Sequence, residues 1–173
     1  SNGTDAKACR DMARRVFSAA SSTVQAPKQR RTSPAKFYDT ATNGPLPIIL
    51  MGASTGGVAA LEVILGDLRV DGPPVVVVQH MDTLFSSAAP FGHDVIGVIL
   101  TGLGRDGAEG LHQLHRSGAQ TIGQDQESSV VYGMPKAAWD LGAVDQQLPL
   151  NQIGAAINMA VQKHHRNPDR SVK

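Results

Sequence analysis

The chain has 173 residues, of which 41% are hydrophobic, 18% charged and 4% aromatic. That length fits one domain with a tail, the apolar share excludes wholesale disorder, and the scarcity of rings argues against stacking platforms for single-stranded nucleic acid. Residues 1–44 hold eight Lys/Arg against three Asp and the remainder is slightly acidic, which is not the charge distribution of a dedicated nucleic-acid binder.

In chain order, Ser1-Asn2-Gly3 reads as an expression scar and is set aside. Residues 5–20 place Ala8, Met12, Val16 and Ala19 at helical spacing and predict a short helix that also carries Cys9, the single cysteine. One cysteine excludes an internal disulfide and a cysteine metal cluster, and fits a reducing compartment. Residues 21–47 are rich in Ser, Thr, basic residues and proline (Pro27, Pro34, Pro45, Pro47), a linker composition. From residue 46 the pattern changes. Apolar runs at 46–51, 75–79 and 95–100, and a weaker one at 119–124, read as strands. The runs are continuous rather than alternating, which implies strands covered on both faces. Helical patterns fall at 56–66, 107–117, 135–141 and 151–163. Strand and helix alternate, so the expected fold is α/β: a doubly wound, mostly parallel sheet with helices on both faces. The expected organisation is a helix and basic linker at 1–45, the main domain at 46–163 and a polar tail at 164–173. No run approaches the ~20 apolar residues of a membrane span, and nothing at the start reads as a signal peptide. The expectation is a cytoplasmic protein without direct membrane insertion.

Three features at predicted strand ends carry chemistry, because ligand and catalytic groups gather there in open α/β sheets. Gly52-Ala53-Ser54-Thr55-Gly56 is a G-x-S-x-G turn between a strand and a helix, the arrangement that exposes a nucleophilic serine beside the unpaired N–H groups of a helix start. Ser54 also reads as a helix N-cap, and the loop as a phosphate cradle. His80 ends the valine run; with an ordinary pKa near 6.5 it suits a general base, or it is simply a polar residue leaving the sheet. Asp106, after the third run, suits the orienting anion of such a histidine, or a second N-cap. Gly102, Gly104 and Gly107 form G-x-G-x-x-G between strand and helix, with Asp125 beyond the next strand. That approximates the dinucleotide fingerprint, so hydrolase and nucleotide-binding readings both stand at this point. His112 and His115, three apart on a predicted helix, have no third ligand at a fixed spacing and read as surface residues. His164 and His165 read as solvated tail residues, and His93 as a histidine without an identifiable partner.

In order along the chain, GASTGG, VVVVQHM, IGVILTGLGRDGAEGL and SSVVYGMPKAAWDLGAVDQQLPL resemble the catalytic domain of the chemotaxis protein-glutamate methylesterases, the CheB type, over about residues 46–160. The resemblance implies Ser54 as nucleophile, His80 as base and Asp106 as its orienting anion, with backbone amides near Thr55 and Leu103 binding the oxyanion. Position 103 is usually Met in that family, a change a backbone donor survives. The order Ser, His, Asp differs from the Ser, Asp/Glu, His order of α/β-hydrolases. The resemblance further implies hydrolysis of glutamate γ-methyl esters on methylated chemoreceptor helices, deamidation of receptor glutamine, no metal or organic cofactor, and a phosphorylatable receiver domain normally upstream in the same chain. The alternative is a non-catalytic module binding a nucleotide or receptor peptide. Two departures stand out. No receiver motif precedes residue 46, and QHM runs directly into DTLFSSAAPFGHD where the family carries roughly seventy further residues, a span beyond ordinary loop lengths. That segment is either lost or absent from the residues given.

Overall fold

The computed structural model describes residues 46–79 and 82–166. The helix expected at 5–20, nearly all of the linker, and His80 with Met81 lie outside them. One five-stranded parallel sheet forms from β1 (Ile48–Gly52), β2 (Val75–Val78), β3 (Val95–Ile99), β4 (Gln120–Gln124) and β5 (Gln146–Leu148), in the order β2-β1-β3-β4-β5. Its helices are α1 (Gly57–Asp67), α2 (Asp82–Ala88), α3 (Ala108–Arg116), α4 (Met134–Asp140) and α5 (Leu150–Arg166), with a 3-10 segment at Ala89–Asp94. The expected α/β class holds.

β1 and β3 are apolar throughout because successive residues point to opposite faces and both faces are covered. Ile49, Met51, Ile96, Val98 and Ile122 meet Ala60 and Ile64 of α1 and Ile153, Ile157 and Val161 of α5. Leu50, Val95 and Ile99 meet Phe85 of α2, Leu111 and Leu114 of α3, and Met134 and Ala138 of α4. Leu111 is fully buried between α3 and β3. Leu111→Ala is therefore expected to cost about 2–5 kcal/mol, read as a fall in the urea midpoint with unchanged slope.

Three elements differ from the sequence reading. β2 is an edge strand: its one partner among the described residues is β1, and Val76 and Val77 are 39% and 40% exposed. A run of four valines predicts cover on both faces, but an edge position withholds it. β5 has only three residues, Gln146, Gln147 and Leu148, too short and polar to register as a strand. α5 continues to Arg166, three residues beyond the helical pattern at 151–163, and His164 and His165 are half-buried in its last turn.

From β1 the chain winds outward to β2, then crosses back to β3 on the other side of β1. The winding direction thus reverses between β1 and β3. The helices that follow β1 and β3 lie on opposite faces of the sheet, and the carboxyl ends of the strands at such a reversal are the standard place for a ligand in an open α/β sheet.

Candidate active site

Ser54 lies in the loop that leaves β1, and Asp106 in the loop that leaves β3, at the point where the winding reverses. The two loops are bonded together: the Ser54 N–H donates to the Thr101 carbonyl (3.0 Å), and the Leu100 N–H to the Gly52 carbonyl (2.8 Å). β2 ends at Val78, paired with Gly52. His80 follows Val78 by the same two positions as Ser54 follows Gly52, but lies outside the described residues.

Neither cap reading survives. The N-cap of α1 is Gly56 (φ 81°) and that of α3 is Gly107 (φ 80°). Both adopt the left-handed conformation that glycine alone enters without strain. Ser54 therefore stands two residues before the cap of its helix and Asp106 one before the cap of its own. Ser54 and Asp106 are half-buried, while Thr55 and Leu103 are exposed. Among the described residues the N–H groups of Thr55 and Leu103 have no hydrogen-bond partner.

The loops meet at Gly102. A Cβ there would lie 3.0 Å from the Ser54 Cβ and run into the Met134 sulfur, so only glycine lets the β3 loop come this close to Ser54. The same position disfavours a dinucleotide. The Gly102 N–H donates to the Val131 carbonyl (3.0 Å), and the Gly102 carbonyl accepts from the N–H groups of Gly133 (3.2 Å) and Met134 (2.9 Å). A Cβ on Gly133 would lie 2.7 Å from the Gly102 oxygen and 2.8 Å from the Gly104 nitrogen. The Val131–Gly133 segment thus occupies the approach to the glycine loop that a pyrophosphate needs. Asp125, in place for a ribose, instead closes a turn: its Oδ1 accepts from the Ser128 N–H (2.9 Å) and hydroxyl (2.6 Å).

Two residues that the sequence reading passed over hold these loops. Thr101 and Gln124 are buried polar groups at the ends of β3 and β4. Gln124 Oε1 accepts from the Thr101 N–H (2.9 Å), and its Nε2 donates to the Ser128 carbonyl (2.8 Å). The Thr101 hydroxyl donates to the Thr55 carbonyl (2.9 Å) and accepts the Val131 N–H (2.9 Å). The available signal was an uncharged polar residue at the end of each run, Thr101 after an apolar one and Gln124 after a mixed one.

Beside the loops, a cleft of about 420 Å³ is lined by Arg105, Gly133, Lys136 and Asp140. The hydrogen bond to the Asp140 carboxylate raises the Lys136 ammonium pKa. A larger cavity, about 550 Å³, opens at the other end of the sheet, where β4 and β5 begin. His115 lies there and pairs with Asp145 (Nε2–Oδ1 3.0 Å), so it is a bridge from α3 to the start of β5 rather than a free surface residue. His112 is half-buried, and no metal-ligating group of three occurs among the described residues. His93 is exposed, with its ring against Gly118, and His164 lies 3.6 Å from Asp94. No described helix is long and apolar enough to cross a membrane.

Comparison with known proteins points to one family. The family model described as CheB methylesterase matches residues 49–88 and 81–157. A protein-glutamate methylesterase/protein-glutamine glutaminase of Gluconobacter oxydans is 33% identical over 211 residues, covering 78% of this chain and 60% of that protein. One from Agrobacterium fabrum is 31% identical over 232 residues, covering 88% and 65%. The chain thus spans less than two thirds of the length of these relatives. The catalytic domain of the Thermotoga maritima CheB methylesterase has the same fold, with TM-score 0.64, 24% identity, and coverage of 68% of this chain and all of that one.

Proposed function

This chain belongs to the CheB methylesterase family, and from that premise we propose that it hydrolyses glutamate γ-methyl esters on chemoreceptor helices and deamidates receptor glutamine by the same acyl chemistry. The observation that carries the reading is the hydrogen-bonded pairing of the Ser54 and Asp106 loops at the reversal of winding, with neither residue spent on a helix cap.

His80 takes the Ser54 proton as Ser54 Oγ attacks the ester carbonyl. Asp106 holds the imidazole in the right tautomer and balances its charge. The N–H groups of Thr55 and Leu103 receive the negative charge on the carbonyl oxygen. The intermediate collapses, methanol leaves with the proton from His80, and a glutamyl ester of Ser54 remains. Water, deprotonated by His80, cleaves that ester and returns a free glutamate. With glutamine the leaving group is ammonia. The reaction needs no metal and no organic cofactor.

The family model matches in two pieces that meet at 81–88, and the Gluconobacter alignment runs over 211 residues while drawing on 78% of a 173-residue chain. Both support the reading that relatives carry a segment after Met81 that is absent here. A receiver domain upstream in the same polypeptide and a cytoplasmic setting fit the same reading.

The test is methanol release from a methylated receptor fragment, with ammonia release from its glutamine form measured in parallel. Release of both by the folded chain is the expected result. A folded chain that leaves ester and amide intact overturns the function.

A further inference from the structure

Thr101 closes the loop end of β3, and although it carries a hydroxyl it is 1% exposed. A buried hydroxyl is costly without partners, so its bonds show what the fold uses it for. Its Oγ1 donates to the Thr55 carbonyl at 2.9 Å and accepts the Val131 N–H at 2.9 Å. Its own carbonyl accepts the Ser54 N–H at 3.0 Å. One residue thus grips the Ser54–Thr55 segment at both ends, by the N–H of the first residue and the C=O of the second. Between the two grips lie the Ser54 Cα, which sets the arc open to the Ser54 hydroxyl, and the Thr55 N–H, which has no partner among the described residues.

The grip is itself fixed. Gln124, 0% exposed, accepts the Thr101 N–H on Oε1, and its Nε2 is spent on the Ser128 carbonyl, so the amide cannot turn over without losing both bonds. The Thr55 carbonyl belongs to an exposed turn.

We propose that Thr101 is a positioning residue for Ser54: its hydroxyl locks the turn so that the serine oxygen and the Thr55 N–H address one carbonyl group. The inference rests on the esterase reading above. Misplacing a reacting atom by about 1 Å costs on the order of 10²-fold in rate, and that loss falls on kcat because the substrate's binding contacts are untouched.

The experiment compares Thr101→Val, which removes the hydroxyl and keeps the shape, with Thr101→Ser, which keeps the hydroxyl and removes the methyl. Two readouts are taken at a temperature where each variant is folded: hydrolysis of p-nitrophenyl acetate, and the rate at which a fluorophosphonate labels Ser54. In T101V, kcat and the labelling rate are expected to fall by about 10²-fold with KM within about twofold, and T101S is expected to stay near the parent. A T101V protein as fast as the parent overturns the inference. So does a T101S protein that loses the rate, since the methyl rather than the hydroxyl then matters; this arm decides the question even where T101V does not fold. A parent chain that neither hydrolyses the ester nor takes the label overturns the esterase reading and the inference with it. A reactive parent with an equally reactive T101V overturns the inference alone.

Discussion

Ser54→Ala is expected to abolish methanol release while leaving the melting temperature within a few degrees of the parent. The two halves of that expectation have separate causes. Removing a triad nucleophile costs on the order of 10⁴–10⁶ in rate, because the remaining groups have no covalent path to assist. The fold does not depend on the Ser54 hydroxyl, because Gly56 caps α1 and the link from Ser54 to β3 runs through its backbone N–H. Methanol release and thermal melting measured on the same preparation check both halves. Parent-like turnover in the variant ends the assignment of Ser54, and a collapsed melting curve ends the claim that its side chain is structurally idle.

Asp106→Asn is expected to lower the rate by about 10⁴-fold with the fold retained. An amide in place of the carboxylate favours the wrong imidazole tautomer and cannot balance the imidazolium that forms as Ser54 is deprotonated. Asp106 precedes the cap of α3 and is half-buried, so its neutralisation removes no helix start. The loss should appear in kcat/KM across the range in which His80 is neutral, and raising the pH should not restore it. A variant that keeps full activity at every pH removes Asp106 from the mechanism, and with it the pairing of the two loops as the basis of the function.

Much of this arrangement is legible in the chain because its causes are local. The runs at 48–52 and 95–99 are apolar at every position for the reason the structure shows, two separate cores sharing one sheet. Helix starts at 57 and 108 follow glycine-rich turns whose spacing is visible in the letters. What was misread depends on distant neighbours. The valines of β2 carry the composition of a central strand and the position of an edge, and composition does not report position. The glycines at 102, 104 and 107 fit a phosphate loop until Val131–Gly133 is seen packed against the first two. Thr101 and Gln124 went unmarked because their partners lie far along the chain, 46 residues from Thr101 to Thr55 and 23 from Gln124 to Thr101. Their importance is a property of closure in three dimensions, and no window of sequence contains it.

The left-handed glycines that start α1 and α3 divide labour between neighbouring positions. Gly56 and Gly107 hold backbone angles that an alanine enters only under strain, and at Gly56 an added Cβ would also meet Val130 at 2.7 Å. Tolerance to mutation around these two loops is therefore inverted with respect to chemistry. A selection for folded protein alone would guard glycines 56, 102 and 107 and pass almost any small residue at 54. Reactive side chains mounted on a scaffold that does not need them can be exchanged while the helices stay in place, so this turn is a site where new chemistry can be tried at little cost to the fold.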